Sequence, residues 1–199
     1  MIQRTGMLRL SGRIRARYLR GVIYTVGHST RSLEALVALL TAYRVGLVVD
    51  VRRYPASRRH PHFAEHPLAA ALQAAGIGYR HDPDLGGRRR ARRDSPHTAW
   101  RSAAFRGYAD HMETPAFEQA VARVIALADA QPVAVMCAEA VPWRCHRQLI
   151  ADALLARGIA VRHILGAGEP RDHRLSPYAQ VLADGRLRYP GQPDQTSLC

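Results

Sequence analysis

Apolar positions along the chain fall into short continuous runs separated by longer amphipathic stretches. Runs at residues 22–26, 47–51 and 133–137 predict buried β-strands, because they are rich in β-branched side chains and are bounded by polar residues or glycine. Residues 77–80 and 159–164 predict two shorter strands. Near-continuous apolar runs are typical of strands that are covered on both faces of a sheet.

The stretches between these runs predict helices. Leu33, Leu36, Val37 and Leu40 recur at the spacing of one helical face, and Ser32 precedes them as a helix cap. Further helices are predicted at residues 68–75, 102–112, 115–128 and 144–157. This alternation predicts an α/β fold: a single three-layer domain with a mostly parallel sheet of about five strands.

The periodic pattern defines three segments. The α/β domain is predicted to span residues 22–165. Residues 1–21 carry six arginines and no acidic residue, and they predict a flexible basic arm. Residues 166–199 are rich in glycine, proline and polar side chains, and they predict a loosely ordered C-terminal tail.

Composition narrows the class of protein. Apolar residues make up 47% of the chain, so a sizeable core can form, and no apolar run reaches the length of about 18 residues that a membrane span needs. Three cysteines are too few for a disulfide scaffold, so we expect a reducing cytoplasmic compartment. We expect no membrane association and no cofactor, and the sequence leaves the oligomeric state open.

The charge favours an anionic partner. All 29 basic residues are arginine, and the formal net charge is +13. Arginine binds phosphate in bidentate geometry, and an excess of positive charge attracts polyanions, although a solvated basic surface remains the alternative. Beyond the basic arm, one cluster predicts a nucleic-acid surface, and it consists of Arg88, Arg89, Arg90, Arg92 and Arg93.

Reactive side chains follow three of the predicted strands. His28 and Ser29 come after the first, and Asp50 and Arg52 stand at the end of the second. The third is followed by the densest group, which consists of Cys137, Glu139, Arg144, Cys145, His146 and Arg147. Ligands of open parallel sheets bind beyond the carboxyl ends of the strands, so we expect these groups to meet in one pocket.

The residue types predict roles in catalysis. Cys137, at a strand-to-helix turn, is the candidate nucleophile or polarising group, because helix N–H groups and arginine favour a thiolate. Glu139 or Asp50 would act as general acid or base, with His28 as an alternative proton carrier. The predicted substrate-binding or anion-binding residues are Ser29, Arg52, Arg144, His146 and Arg147.

Each role has a structural alternative. Cys137 could be an inert core thiol, and Cys145 is expected mainly to pack, one turn into its helix. Glu139 and Arg144 could form a structural ion pair.

A tyrosine-phosphatase mechanism is disfavoured. Six residues separate Cys137 from Arg144, whereas five separate the cysteine and arginine of the phosphatase loop, and the carboxylate of Glu139 would repel phosphate. We expect no metal, because the Cys and His spacing matches no common zinc site.

Several segments together resemble the DUF488 family of bacterial and archaeal proteins. They are residues 27–33, residues 49–52 with Pro55, Ser57 and Arg58, residues 85–88, residues 108–112, residues 136–139 and residues 143–147. The resemblance covers about residues 22–164. It implies a compact α/β fold, and it points to the same strand-end residues, but the family's function is unknown.

The sequence therefore supports two hypotheses. The first is an enzyme, either a hydrolase or a transferase, with a pocket of cysteine, glutamate, arginine and aspartate side chains. Its substrate would be a phosphate-bearing small molecule, a nucleotide or a nucleic acid. The second is a non-catalytic nucleic-acid-binding or adaptor protein that uses the arginine-rich surface.

Overall fold

A six-stranded sheet forms the centre of the protein, whose structure, a computed structural model, describes residues 21–56 and 59–191. The strands are β1 (Ile23–Gly27), β2 (Leu47–Asp50), β3 (Gly78–His81), β4 (Val133–Cys137), β5 (Val161–Ile164) and β6 (Arg171–Asp172). Their spatial order is β3-β2-β4-β1-β5-β6. The first five strands pair in parallel, and the short β6 runs antiparallel to β5.

Five α-helices cover the two faces of the sheet. They are α1 (Leu33–Ala42), α2 (Glu65–Ala74), α3 (Ala103–Met112), α4 (Pro115–Ala130) and α5 (Arg147–Ala156). Two hydroxyls fix helix starts, since Ser32 Oγ accepts from Ala35 N and Thr114 Oγ1 accepts from Phe117 N. Proline at position 115 suits the first turn of α4.

Two apolar cores lie on opposite faces of the sheet. On one face, residues of α1 and α2 pack against Val26, Val48 and Met136. On the other face, residues of α3, α4 and α5 pack against Val49 and Val135. These layers confirm the predicted α/β domain. Within the described ranges no helix has the length and apolar character that crossing a membrane requires.

The segment after β5 is more ordered than its composition suggested. Besides β6 it contains a hairpin of β7 (Gln180–Val181) and β8 (Leu187–Arg188), and Tyr189 is fully buried. Residues 166–191 therefore pack on the domain and do not form the loosely ordered tail that we expected. The predicted arm, apart from Gly21, and residues 192–199 lie outside the described residues.

The strand order creates a crevice at one place on the sheet edge. β1 and β4 are neighbours, but the chain leaves β1 toward the face covered by α1 and leaves β4 toward the face covered by α5. Their carboxyl ends therefore diverge, which is the arrangement in which open α/β sheets bind ligands. Gly27 lies at this end of β1 and Cys137 at this end of β4.

Candidate functional site

A cleft of about 840 Å³ opens at the carboxyl ends of β1 and β4. Seven of the residues predicted for catalysis or anion binding line it, and they are His28, Ser29, Arg52, Cys137, Glu139, Arg144 and His146. Asp50 and Arg147 are fully buried and lie beneath the cleft instead. Residues from three distant parts of the sequence thus meet at one edge of the sheet.

Two cysteines form the floor of this cleft. Cys137 ends β4, and Cys145 follows a 3₁₀ turn, Pro142–Arg144, that precedes α5. Their sulfur atoms are 2.7 Å apart, and their exposed fractions are 2% and 5%. We expected Cys145 inside a helix, but α5 begins only at Arg147, so Cys145 keeps an extended backbone and turns its thiol toward Cys137.

A buried guanidinium lies under the sulfur pair. Arg147 has 0% exposure, its Nε donates to Cys137 Sγ at 2.9 Å, and its Nη2 donates to the backbone carbonyl of Glu139. Within residues 21–56 and 59–191, Arg147 forms no ion pair with a carboxylate. A buried cation is costly without a compensating charge, and a thiolate of the cysteine pair would supply that charge. Arg147 therefore acts on the sulfurs from below and does not line the cleft that would receive an anion.

The environment of Cys145 favours its thiolate. Arg147 N donates to Cys145 Sγ at 3.5 Å, so the sulfur lies at the positive end of α5. Burial opposes ionisation, but the contacts with Cys137 and His146, together with the charge of Arg147, hold the pKa of Cys145 well below its ordinary value. Burial and the contact with Cys145 raise the pKa of Cys137. The two shifts have opposite directions, so Cys145 is the sulfur that carries the negative charge when the pair loses a proton.

His146 is oriented as a proton acceptor for Cys145. Its Nε2 donates to the carbonyl of Val51 at 3.0 Å, which leaves Nδ1 facing Cys145 Sγ at 3.5 Å. The ring packs between Tyr108 and the backbone of Gly87, where a Cβ would lie 2.8 Å from Nδ1. The close approach explains the glycine at position 87.

Asp50 and Arg52 form a structural pair at the side of the cleft. Both oxygens of Asp50 accept from Arg52, at 2.5–3.0 Å, and Tyr79 donates to Oδ2. Arg52 also donates to the carbonyl of Phe63. Both carboxylate oxygens of Asp50 therefore have hydrogen-bond partners, as a buried carboxylate at a strand end requires. This geometry does not provide the general acid or base that we predicted at Asp50, and it uses most of the donors of Arg52.

His28 is buried against Phe63, with ring centroids 4.1 Å apart. Burial and the charge of Arg52 lower the pKa of His28 to about 4, so the ring is neutral at physiological pH. Its Nδ1 donates to the carbonyl of Ser29, and its Nε2 faces Arg52 at 3.4 Å. Ser29 has a φ of 52°, and its backbone N–H donates to Ala138, so it joins the β1 and β4 loops.

The walls of the cleft carry an excess of positive charge. Five arginines line it, and they are Arg52, Arg53, Arg59, Arg88 and Arg144. Glu139 is the one carboxylate among the described lining residues, and within the described ranges it forms no ion pair with Arg144. The alternative of a structural Glu139–Arg144 pair is therefore not realised, and the cleft suits an anion.

The predicted arginine surface is divided between different environments. Arg88 lines the cleft, and its guanidinium lies 6.0 Å from the ring centroid of Tyr54. Arg89 instead donates to the carbonyls of Gly86, Pro83 and Asp84, and Arg92 pairs with Glu113 at 2.7 Å. Arg90 and Arg93 are exposed. The five residues therefore do not present one continuous face.

Several lining residues had no sequence signal that we used. Tyr54 and Phe105 contribute aromatic rings, and Arg53 and Arg59 contribute charge. Cys145 was assigned to packing, although its position directly before His146 and Arg147 is the signal that could have identified it. In the part of the chain that the structure describes, no group of three or more metal-ligating side chains is found.

Comparison with known proteins gives one positive result. No curated protein and no solved structure matches the chain. The family model described as domain of unknown function DUF488 matches residues 32–154, which is more than half of the 199 residues. The matched range contains the cysteine pair, Arg147 and most of the lining residues. The chain belongs to the DUF488 family.

Proposed function

We propose that the protein is an enzyme in which a cysteine thiolate attacks a phosphate-bearing substrate bound in the cleft. The observation that carries this proposal is the thiolate environment of Cys145, formed by Cys137, His146 and Arg147 at the floor of an arginine-lined cleft. A structural thiol needs neither a buried cation nor an oriented imidazole beside it. A nucleophile needs both the lowered pKa and access to substrate.

The lining residues fit two parts of a substrate. Among the described residues, three arginines of the cleft have no hydrogen bond from their guanidinium to the protein, and they are Arg59, Arg88 and Arg144. Their donors can therefore bind phosphate oxygens, and Arg88 and Arg144 are chosen for the test below. Tyr54 is 63% exposed at the cleft wall, and an exposed aromatic ring next to arginine is a stacking surface for a nucleobase. A nucleotide, free or in a nucleic acid, combines both features.

The chemistry follows from these positions. The Cys145 sulfur attacks an electrophilic centre of the substrate, such as phosphorus, and a covalent bond forms as the leaving group departs. Glu139 lines the cleft and is exposed, so it is the candidate to protonate that leaving group. Water or an acceptor molecule then releases the group from sulfur, which makes the enzyme a hydrolase or a transferase.

Protection from alkylation tests the anion site. Pyrophosphate and ADP are expected to slow alkylation of Cys145 by iodoacetamide, measured by peptide mass spectrometry. The double variant Arg88→Ala/Arg144→Ala should need several-fold more ligand for half protection, and the salt dependence of protection should weaken. Arg90→Ala/Arg93→Ala is the matched control, because it removes the same charge from outside the cleft. In this variant the ligands should protect Cys145 as well as they do in the wild type.

Equal protection in both double variants, or no protection by either ligand, would contradict the anion site. The catalytic step needs a separate test. Turnover of a panel of phosphate esters and nucleotides should be lost in Cys145→Ser while ligand binding persists. Retention of turnover in that variant would remove the nucleophilic role.

The non-catalytic alternative has one observation in its favour, which is that Arg90 and Arg93 are exposed on the same segment. A nucleic-acid surface there would lose affinity and salt dependence in Arg90→Ala/Arg93→Ala. The enzyme proposal expects no such loss for a small nucleotide, so the same control variant separates the two functions.

A further inference from the structure

The two cysteines at the cleft floor have the geometry of a dithiol that can close into a disulfide. Their sulfurs are 2.7 Å apart, against about 2.05 Å in a disulfide bond. Both are free cysteines. In the phosphate chemistry proposed above, Cys145 forms the covalent bond, and the second sulfur, held in direct contact with the first, forms none.

We propose that Cys145 and Cys137 form a redox site for hydroperoxides, in which Cys145 is the attacking thiolate and Cys137 is the resolving thiol. Cys145 lines the cleft, which gives a molecule as small as hydrogen peroxide access to its sulfur. It also lies at the N-terminal end of α5 and beside the Nδ1 atom of His146, the setting that makes a thiol reactive.

The reaction has two steps. The Cys145 sulfur attacks one peroxide oxygen, the O–O bond breaks, and the departing hydroxide takes a proton from solvent to give water. Cys145 is then a sulfenic acid. The sulfur of Cys137 attacks the Cys145 sulfur, the S–O bond breaks, and the hydroxide leaves as water with the Cys137 proton. Two electrons have passed from the sulfurs to the peroxide, and a disulfide has formed.

The position of Arg147 makes this disulfide reversible. Its buried guanidinium is compensated by the thiolate, and disulfide formation removes that charge while Arg147 keeps only carbonyl partners. A cation that stabilises the reduced form makes the disulfide easier to reduce. A small thiol such as glutathione or dithiothreitol therefore returns the pair to its starting state, with the thiol's electrons breaking the S–S bond.

Peroxide titration of defined variants tests the site. Cys199, which lies outside the described residues, is a third thiol, so Cys199→Ser is the background for every measurement. With one equivalent of hydrogen peroxide at neutral pH, this protein should lose the mass of two hydrogens, regain it with dithiothreitol, and yield a Cys137–Cys145 linked peptide. The reaction should be at least about tenfold faster than that of glutathione, because more thiolate is present.

Single substitutions separate the two roles. Cys137→Ser in that background should gain one oxygen, trapped by dimedone on Cys145, because no resolving thiol remains. Cys145→Ser should stay unmodified, because Cys137 lacks the contacts with the His146 imidazole and the N-terminus of α5 that Cys145 has. A background protein that keeps both thiols, or a Cys137→Ser variant without a dimedone adduct, would overturn the proposal. No phosphate ligand is used, so the result is independent of whether the nucleotide chemistry proposed above is correct.

Discussion

Two buried polar clusters flank α5, and they differ in how their charge is balanced. On one side, the Asp152 carboxylate accepts four hydrogen bonds, from His173, the backbone and hydroxyl of Ser176, and Tyr189. On the other side, the Arg147 guanidinium contacts a sulfur and backbone carbonyls. The first cluster is complete within the protein, whereas the second depends on a thiolate.

The Asp152 cluster also has a consistent proton arrangement. Thr25 donates to His163, His163 donates to His173, and His173 donates to Asp152, with distances of 2.7, 3.0 and 2.9 Å. Every ring nitrogen therefore has a partner, and the chain of hydrogen bonds joins β1 and β5 to the C-terminal segment. A polar cluster that is satisfied and closed to solvent has a structural role.

The two clusters show which features distinguish a reactive buried polar site from a structural one. Both clusters contain charged side chains that are fully buried, so burial alone does not separate them. The cysteine cluster differs in two respects. Its charge balance relies on a group that can change protonation or oxidation state, and two of its members, Cys137 and Cys145, line a cleft.

Removing the structural carboxylate should give the largest effect on stability. Asp152→Ala leaves His173, Ser176 and Tyr189 without their acceptor, so we expect the free energy of unfolding to fall by about 3–5 kcal/mol in urea titrations. Asp172→Ala is the control, because that carboxylate is 80% exposed and its surface pair contributes about 0–1 kcal/mol. At urea concentrations where Asp152→Ala stays folded, the pH dependence of Cys145 alkylation should be unchanged.

A drop of under about 1 kcal/mol for Asp152→Ala would mean that the cluster is not the structural unit described here. A shifted alkylation profile would instead mean that the two sides of α5 are coupled. Either result would break the distinction between a closed structural cluster and a reactive one.

Acid should destabilise both regions by a smaller amount. Burial and nearby charge lower the pKa of His28 to about 4, and burial with the neighbouring His173 lowers that of His163 to about 3. An unfolded histidine titrates near 6.5, so below that pH the unfolded state binds protons that the folded state does not. Stability is therefore complete above about pH 6.5 and falls toward pH 4, by about 2 kcal/mol per histidine at pH 5.

The measurement is the free energy of unfolding at several pH values between these limits. His28→Asn tests the cleft side and His163→Asn tests the Asp152 side. Each substitution should reduce the slope of the unfolding free energy against pH by the contribution of about one proton. An unchanged slope in either variant would show that the histidine is not held neutral.

Much of the fold was predictable from local patterns. The five parallel strands follow from short apolar runs, and the rule for strand ends brought His28, Cys137 and His146 to one edge. Helix starts were less accessible, because periodicity does not reveal the 3₁₀ turn that delays α5 until Arg147. That turn is what frees Cys145 to contact Cys137.

The remaining errors concern contacts between distant residues. Nothing near Asp50 in the sequence shows that the Tyr79 hydroxyl donates a hydrogen bond to its carboxylate. The C-terminal segment looked loose because its order depends on Asp152, which lies 37 residues from Tyr189. Local composition cannot report such contacts, since the partners are chosen by the folded topology.

The pH dependence of Cys145 alkylation in the Cys199→Ser background is the most direct test of the thiolate at the cleft floor. We expect a midpoint well below the value of about 8.5 for a free thiol, and a rise of at least about one unit in Arg147→Met, with Arg147→Lys intermediate. A midpoint near 8.5 that does not respond to either substitution would contradict the compensation of Arg147 by a thiolate.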